Sequence, residues 1–147
     1  MSQVGELHEA VKRGHIAVLE RLLKADPKLA NARSETDARG TFPLHVAAEF
    51  GQAEAARRLL DHGADPTFLD LENDATALCW AAFFGRPAVA AVLVKADPDP
   101  NKRNKHGLTP LGCAVGGTRG QWQRFSSATI EEWRKTADLL RAHGGVE

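Results

Sequence analysis

The sequence has no excess of charge of either sign: nineteen Lys and Arg stand against nineteen Asp and Glu, a formal net charge of zero. That balance excludes a basic nucleic-acid arm and argues against nucleic acid as a partner. Long apolar runs are also missing. A run such as Ala88 to Val94 falls far short of the ~18 residues that suggest a transmembrane helix, so no membrane anchor is expected. The opening MSQVGELHEA carries Glu6 and Glu9 where a secretory signal would place a basic and then an apolar region. Cysteine is scarce, with only Cys79 and Cys113, and reduced thiols suit the cytoplasmic setting these features predict. What remains is an ordinary soluble composition, 43% hydrophobic and 26% charged over 147 residues, enough for one domain with a core of its own.

The chain repeats itself. LHEAVKRGH from Leu7, LHVAAEFGQ from Leu44, LCWAAFFGR from Leu78 and LGCAVGGT from Leu111 align, their leading leucines 37, 34 and 33 residues apart. Ala10, Ala47, Ala81 and Ala114 follow three residues behind each leucine. A second apolar marker recurs downstream as Leu22-Leu23, Leu59-Leu60, Leu93-Val94 and Leu139-Leu140. Each unit therefore holds two apolar segments, and their three- and four-residue spacing predicts a pair of short helices.

Local signals mark where the helices begin. Thr109-Pro110 offers a capping side chain followed by proline at the first helical position, where its missing N–H costs nothing. Thr76 keeps the cap in the third unit. The second unit has Phe42 there, which forfeits a cap worth about 1 kcal/mol and points to packing by the ring. Thr129-Ile130-Glu131-Glu132 is a capping box for the last helix. Between units, Asp37 to Gly40, Glu72 to Ala75 and Asn104 to Gly107 supply turn formers that tolerate a left-handed backbone.

A unit of about 33 residues with one turn and two helices, carrying a close match to T-P-L-H-x-A, resembles the ankyrin repeat. The second unit matches best, through Gly40, Pro43-Leu44-His45, Ala47-Ala48, Gly51, Leu59-Leu60 and Gly63-Ala64-Asp65. The resemblance implies an all-α solenoid of helix-turn-helix units with projecting hairpin-like fingers. Its repeats are placed at about residues 1–36, 37–70, 71–103 and 104–145, in one domain spanning 1–147. Ala77 and Cys79 replace the usual Pro and His in the third unit, and Gly112 replaces the His in the fourth.

The fourth unit departs most: 28 residues instead of 15 separate Leu111 from Leu139. The insertion, about 116–128, reads either as a binding loop or as a flap covering the end of the stack through Trp122 and Phe125. Its Gly116-Gly117-Thr118-Arg119-Gly120 run lacks the spacing of a phosphate loop and follows a helix, so it reads as a flexible hinge.

Catalytic chemistry finds few candidates. Stacked helices about 8 to 10 Å apart place Cys79 and Cys113 beyond the ~7 Å Cα limit for a disulfide, and place His45 out of reach of Cys79 as its base. Equivalent histidines His8 and His45 sit too far apart to converge on one metal. No cofactor, no metal and no catalytic residue is expected. The histidine reading implied by the resemblance is structural, a hydrogen bond to neighbouring backbone that fixes the finger.

The resemblance further implies a concave groove, formed by the fingers and the outward side of the first helices, that grips other proteins. By register it contains Arg39, Thr41, Glu49 and Phe50 from the second unit and Glu72, Asn73, Asp74, Phe83 and Phe84 from the third. Lys105, His106 and Leu108 come from the fourth, joined by Trp122, Arg124 and Phe125 of the insertion. Trp80 and Trp133 read as core. Phe50 and Phe84 read equally as exposed anchors or as packing between units, and as an anchor Phe84 would tolerate truncation without loss of thermal stability. The expectation is a monomeric, non-catalytic adaptor or regulator whose partners are unidentified proteins. The alternatives are anion or nucleic-acid binding by Arg119 to Phe125, and an enzyme built on Cys79 or a histidine.

Overall fold

The computed structural model describes residues 2–147. The eight α-helices are α1 (Gln3–Arg13), α2 (Ile16–Ala25), α3 (Pro43–Phe50), α4 (Ala53–Asp61), α5 (Ala77–Phe84), α6 (Pro87–Ala96), α7 (Pro110–Thr118) and α8 (Ile130–Ala142). A short 3-10 turn, Pro27–Asn31, follows α2. No strand occurs among the described residues; the molecule is an all-helical solenoid.

Helices pair as α1 with α2, α3 with α4, α5 with α6 and α7 with α8. The first helices of the pairs stack in one layer and the second helices in another. The leading leucines Leu7, Leu44, Leu78 and Leu111 are buried between the layers, as are Leu23, Leu59, Leu93 and Leu140 from the other side. Burying such a side chain stabilises by about 1.5 to 3 kcal/mol, so the repeated pattern of the sequence is the core itself.

The caps form where residue chemistry places them. Thr76 Oγ1 accepts from the Cys79 amide, and Thr109 Oγ1 accepts from the Gly112 amide at 3.0 Å. Thr129 and Glu132 close their reciprocal box. At Phe42 the missing cap is replaced from the other direction: the Phe42 amide donates to His45 Nδ1 at 3.1 Å. The Phe42 ring packs on Phe68, 4.9 Å between centroids, and lies under the Arg33 guanidinium.

That bond fixes the state of His45. Because Nδ1 accepts, Nε2 carries the proton and donates to the Ala75 carbonyl at 2.9 Å, in the next finger. The ring is 1% exposed, and burial lowers its pKa to about 4. His8 repeats the tie with the Ala32 carbonyl at 2.7 Å, and burial lowers its pKa as well.

The glycine run in the fourth unit is helix and not hinge. Helix α7 continues through Gly116, Gly117 and Thr118, and the connecting segment begins at Arg119. The reason is packing. A Cβ on Gly117 would sit 2.1 Å from Trp133 Cδ1, and one on Gly116 would sit 2.7 Å from Trp122 Cζ2. The two indoles occupy the space that other side chains would take. Gly112, by contrast, leaves ordinary contact room, 3.5 Å to Leu108 Cδ2.

Gly117→Ala should therefore lower stability by about 1 to 3 kcal/mol through overpacking, whereas Gly112→Ala should be neutral or stabilising by up to about 1 kcal/mol. Paired thermal melts of the two variants check this. Acidification provides a second test. A histidine whose folded pKa is depressed leaves the unfolded chain binding more protons, so its stability contribution is full above pH ~6.5 and is lost as pH falls towards ~4. His45 alone should remove about 2 kcal/mol between pH 7 and pH 5. Denaturant titrations across that window should show the loss, and a His45→Gln variant should show a shallower pH slope.

Candidate functional site

Each finger opens on a side-chain acceptor that folds the turn onto itself. Ser34 Oγ accepts from the amides of Thr36 and Asp37. Asp70, 1% exposed, accepts from the amides of Glu72, Asn73 and Ala75. Asn104 Oδ1 accepts from the amides of His106 and Leu108. Such Asx and Ser turns let short polar side chains replace backbone partners. One backbone bond closes each finger, Ser34 to Thr41, Asp70 to Ala75 and Asn104 to Leu108. Neighbouring fingers are then linked, the Leu71 amide donating to the Arg39 carbonyl and the Lys105 amide to the Asn73 carbonyl.

Asp70 does a second task, accepting from Trp80 Nε1 at 3.2 Å. This orients the indole edge-on to His45, with centroids 5.1 Å apart. From Trp80 the aromatic row continues through Phe84 at 5.8 Å, then Phe83, then Trp122 at 4.8 Å and Phe125 at 5.8 Å from Phe83. Tilted and edge-to-face pairs at these separations are the favoured aromatic geometries.

The row floors a cleft of about 700 Å³. The segment from Arg119 forms one wall. It is held down by Trp122 Nε1 donating to the Cys113 carbonyl at 2.7 Å and by Ser126 Oγ donating to the Phe84 carbonyl at 2.7 Å. Trp133 Nε1 adds a bond to the Phe83 carbonyl at 3.0 Å. Opposite stands a charged ridge: Arg39 donates to Asp37 at 2.8 Å and to Glu49 at 2.9 Å, and its guanidinium covers the Trp80 ring at 4.9 Å. Hydrogen bonding from Asp37 raises the Arg39 pKa further above its ordinary value, and the same contact lowers that of Asp37. Glu72, Asn73, His106, Leu108 and Arg124 complete the rim.

Across the ridge lies a second cleft of about 560 Å³, bounded by His8, Glu9, Lys12, Asp37 and Phe50. Phe50 is 39% exposed, with Lys12 Nζ 5.2 Å from its ring centre.

Thr41, Phe84 and the cysteine pair stand differently from what the sequence predicts. Thr41 is fully buried, its backbone carbonyl closing the finger, and it presents nothing to solvent. Phe84 is 9% exposed because it is clamped between Trp80 and Phe83; it supports the cleft from beneath. The two thiols are in contact, Sγ to Sγ 3.3 Å, and do not stand apart. Helix spacing is measured between axes, while Cα atoms lie about 2.3 Å off each axis and both side chains project into the gap. Contact with Cys113, then burial, pushes the Cys79 thiol pKa up. Asp74 and Lys105 are exposed at the finger tips outside both clefts.

His45 is unsuited to act as a base, since both ring nitrogens are engaged with backbone. Among the described residues no three His, Cys, Asp or Glu side chains converge as metal ligands would, and no helix is long and apolar enough to cross a membrane.

Residues 7–104 match the family model for ankyrin repeats in three copies. The chain belongs to the ankyrin repeat family. An ankyrin repeat-containing protein of Treponema pallidum is 42% identical over 80 residues, covering 54% of this chain and 27% of that protein. The E3 ubiquitin-protein ligase Ufd4 of Drosophila melanogaster is 37% identical over 121 residues, covering 74% of this chain and 4% of that protein. Diacylglycerol kinase zeta of Rattus norvegicus is 35% identical over 112 residues, covering 75% of this chain and 12% of that protein. This ankyrin repeat chain thus spans about a quarter or less of the length of these relatives. Helices α7 and α8 and the segment joining them lie beyond the matched residues.

The ankyrin register alone does not single out Asp70 or Ser34, although both stand at the head of a finger, 36 residues apart. It also assigns Trp80 wholly to the core, whereas that ring is both buried and part of the cleft floor.

The burial of the two phenylalanines sets opposite expectations. Phe84→Ala should cost about 3 to 5 kcal/mol, as a core truncation does, with a clear fall in melting temperature. Phe125, 51% exposed, should tolerate alanine with a change of no more than about 0.5 kcal/mol. Equilibrium denaturation of both variants distinguishes floor from rim.

Proposed function

We propose that this chain is a non-catalytic protein-interaction module, acting as an adaptor or regulator, that holds a partner protein in the larger cleft. The observation that carries the reading is the aromatic floor walled by the segment from Arg119. It offers apolar area for an anchor side chain beside fixed polar groups, Arg39, Glu49 and Asn73, that can orient one. The general role of ankyrin repeats in protein–protein interaction supports it.

In this reading α7 and α8 are a modified fourth repeat, and the inserted segment both covers the end of the stack and contributes Trp122, Arg124 and Phe125 to the binding surface. The chain acts as a monomer in the cytoplasm. Engagement of both His45 ring nitrogens with backbone supports a role without a Cys79–His45 nucleophile pair. Net neutrality and only two arginines on the segment, Arg119 and Arg124, give nucleic acid little to bind.

Affinity capture from the source cell, followed by measured affinities for the partner retained, tests the assignment. Phe125→Ala should weaken binding about tenfold or more while the variant stays folded, and Phe50→Ala should have a smaller effect. A partner bound equally by wild type and both variants would remove the clefts from the function. Retention of nucleic acid with steep salt dependence would replace the protein partner altogether.

A further inference from the structure

Cys79 on α5 and Cys113 on α7 are 34 residues apart in sequence and 3.3 Å apart at sulfur. The remaining polar neighbour of the pair is Asn104 Nδ2, 3.8 Å from Cys79 Sγ. Both residues are nearly closed to solvent, at 2% and 1% exposure, yet both border the floor of the larger cleft. A single buried thiol behaves as a small apolar side chain. Two thiols in contact have a further chemistry, because a bond of ~2.05 Å needs them to approach by only about 1.2 Å. Adjustment of two χ1 angles is a smaller change than unfolding either helix.

We propose that Cys79 and Cys113 are a two-electron oxidation site, closing to a reversible disulfide between the third and fourth helix pairs when hydrogen peroxide enters the cleft. One sulfur, after losing its proton, attacks the O–O bond and becomes a sulfenic acid, while the departing oxygen takes up that proton and leaves as water. The neighbouring thiol sulfur displaces the new hydroxyl, the S–S bond forms, and its proton leaves with the hydroxyl as a second water. Each sulfur is oxidised by one electron and hydrogen peroxide is reduced by two. A dithiol reductant reverses the process by exchange through a mixed disulfide.

Burial makes the first attack slow, since the thiolate is the nucleophile and little of it is present in an apolar setting. Proximity makes the second step fast and intramolecular, which protects the sulfenic acid from further oxidation. The bond would tie α5 to α7 beneath the aromatic row. The equivalent places in the first two units hold His8 and His45, which form hydrogen bonds to finger carbonyls, so only the cleft end of the stack acquires a covalent tie.

The experiment treats the full chain with excess hydrogen peroxide under native conditions, then unfolds and alkylates it for intact-mass and peptide-map analysis. Wild type should lose two hydrogens, resist alkylation and yield one peptide linking residues 79 and 113. Its melting temperature should rise by about 10 °C and return on reduction. Cys79→Ala and Cys113→Ala should instead leave one alkylatable or singly oxygenated sulfur and no rise. The melting comparison uses oxidised and reduced wild type, so it stands even if a variant folds poorly. Full alkylation of native-treated wild type, sulfinic or sulfonic acid on one cysteine, intermolecular dimers, or a linked chain with unchanged melting temperature would each overturn the proposal.

Discussion

A neutral, buried imidazole is the hinge on which the repeat geometry depends. His45 takes the amide of Phe42 on one nitrogen and gives a proton to the Ala75 carbonyl on the other, so one ring starts its own helix and fixes the next finger. Its face also sets Trp80, the first ring of the aromatic row. The tie joins residues 30 apart in sequence across two consecutive units, and in a solenoid every unit rests on the one beside it. Where Cys79 replaces this histidine the tie is absent, and the finger beyond relies on Asn104 and on the Lys105 bond to Asn73.

The same substitution changes what lies under the larger cleft. In place of a histidine, Cys79 on α5 meets the sulfur of Cys113 on α7. Around this point the fourth helix pair is rebuilt: Gly117 lets Trp133 approach α7, and Trp122 caps the Cys113 carbonyl. Small residues on α7 and large rings elsewhere are two halves of one packing arrangement. A cleft wall stands where a plain turn joins the helices of the other pairs.

The parts legible in the sequence were those set by local chemistry. Periodic leucines place the two layers, Thr76, Thr109 and Thr129 place helix starts, and Gly40 and Gly107 mark the fingers with positive φ. Arg39, Glu49 and Phe83, placed by register, and Phe125, placed on the insertion, line one cleft. What could not be read depends on partners distant in sequence. Gly117 looks like a hinge until Trp133 is set against it. Phe84 looks exposed until Trp80 and Phe83 close over it. Asp70 looks like one more surface acid, because its indole partner lies on the next helix and its three amides lie in a turn. The contact between Cys79 and Cys113 is not legible in the sequence, because axis spacing says nothing of how far side chains reach across it.

The Arg39 ridge has a consequence for anything that lies along this face. It belongs to the boundary of both clefts, and its guanidinium is already paired with Asp37 and Glu49. The cluster is paired within itself, and its cation lies over the Trp80 ring. The ridge therefore fixes the spacing between the two clefts, with Phe125 standing on one side of it and Phe50 on the other.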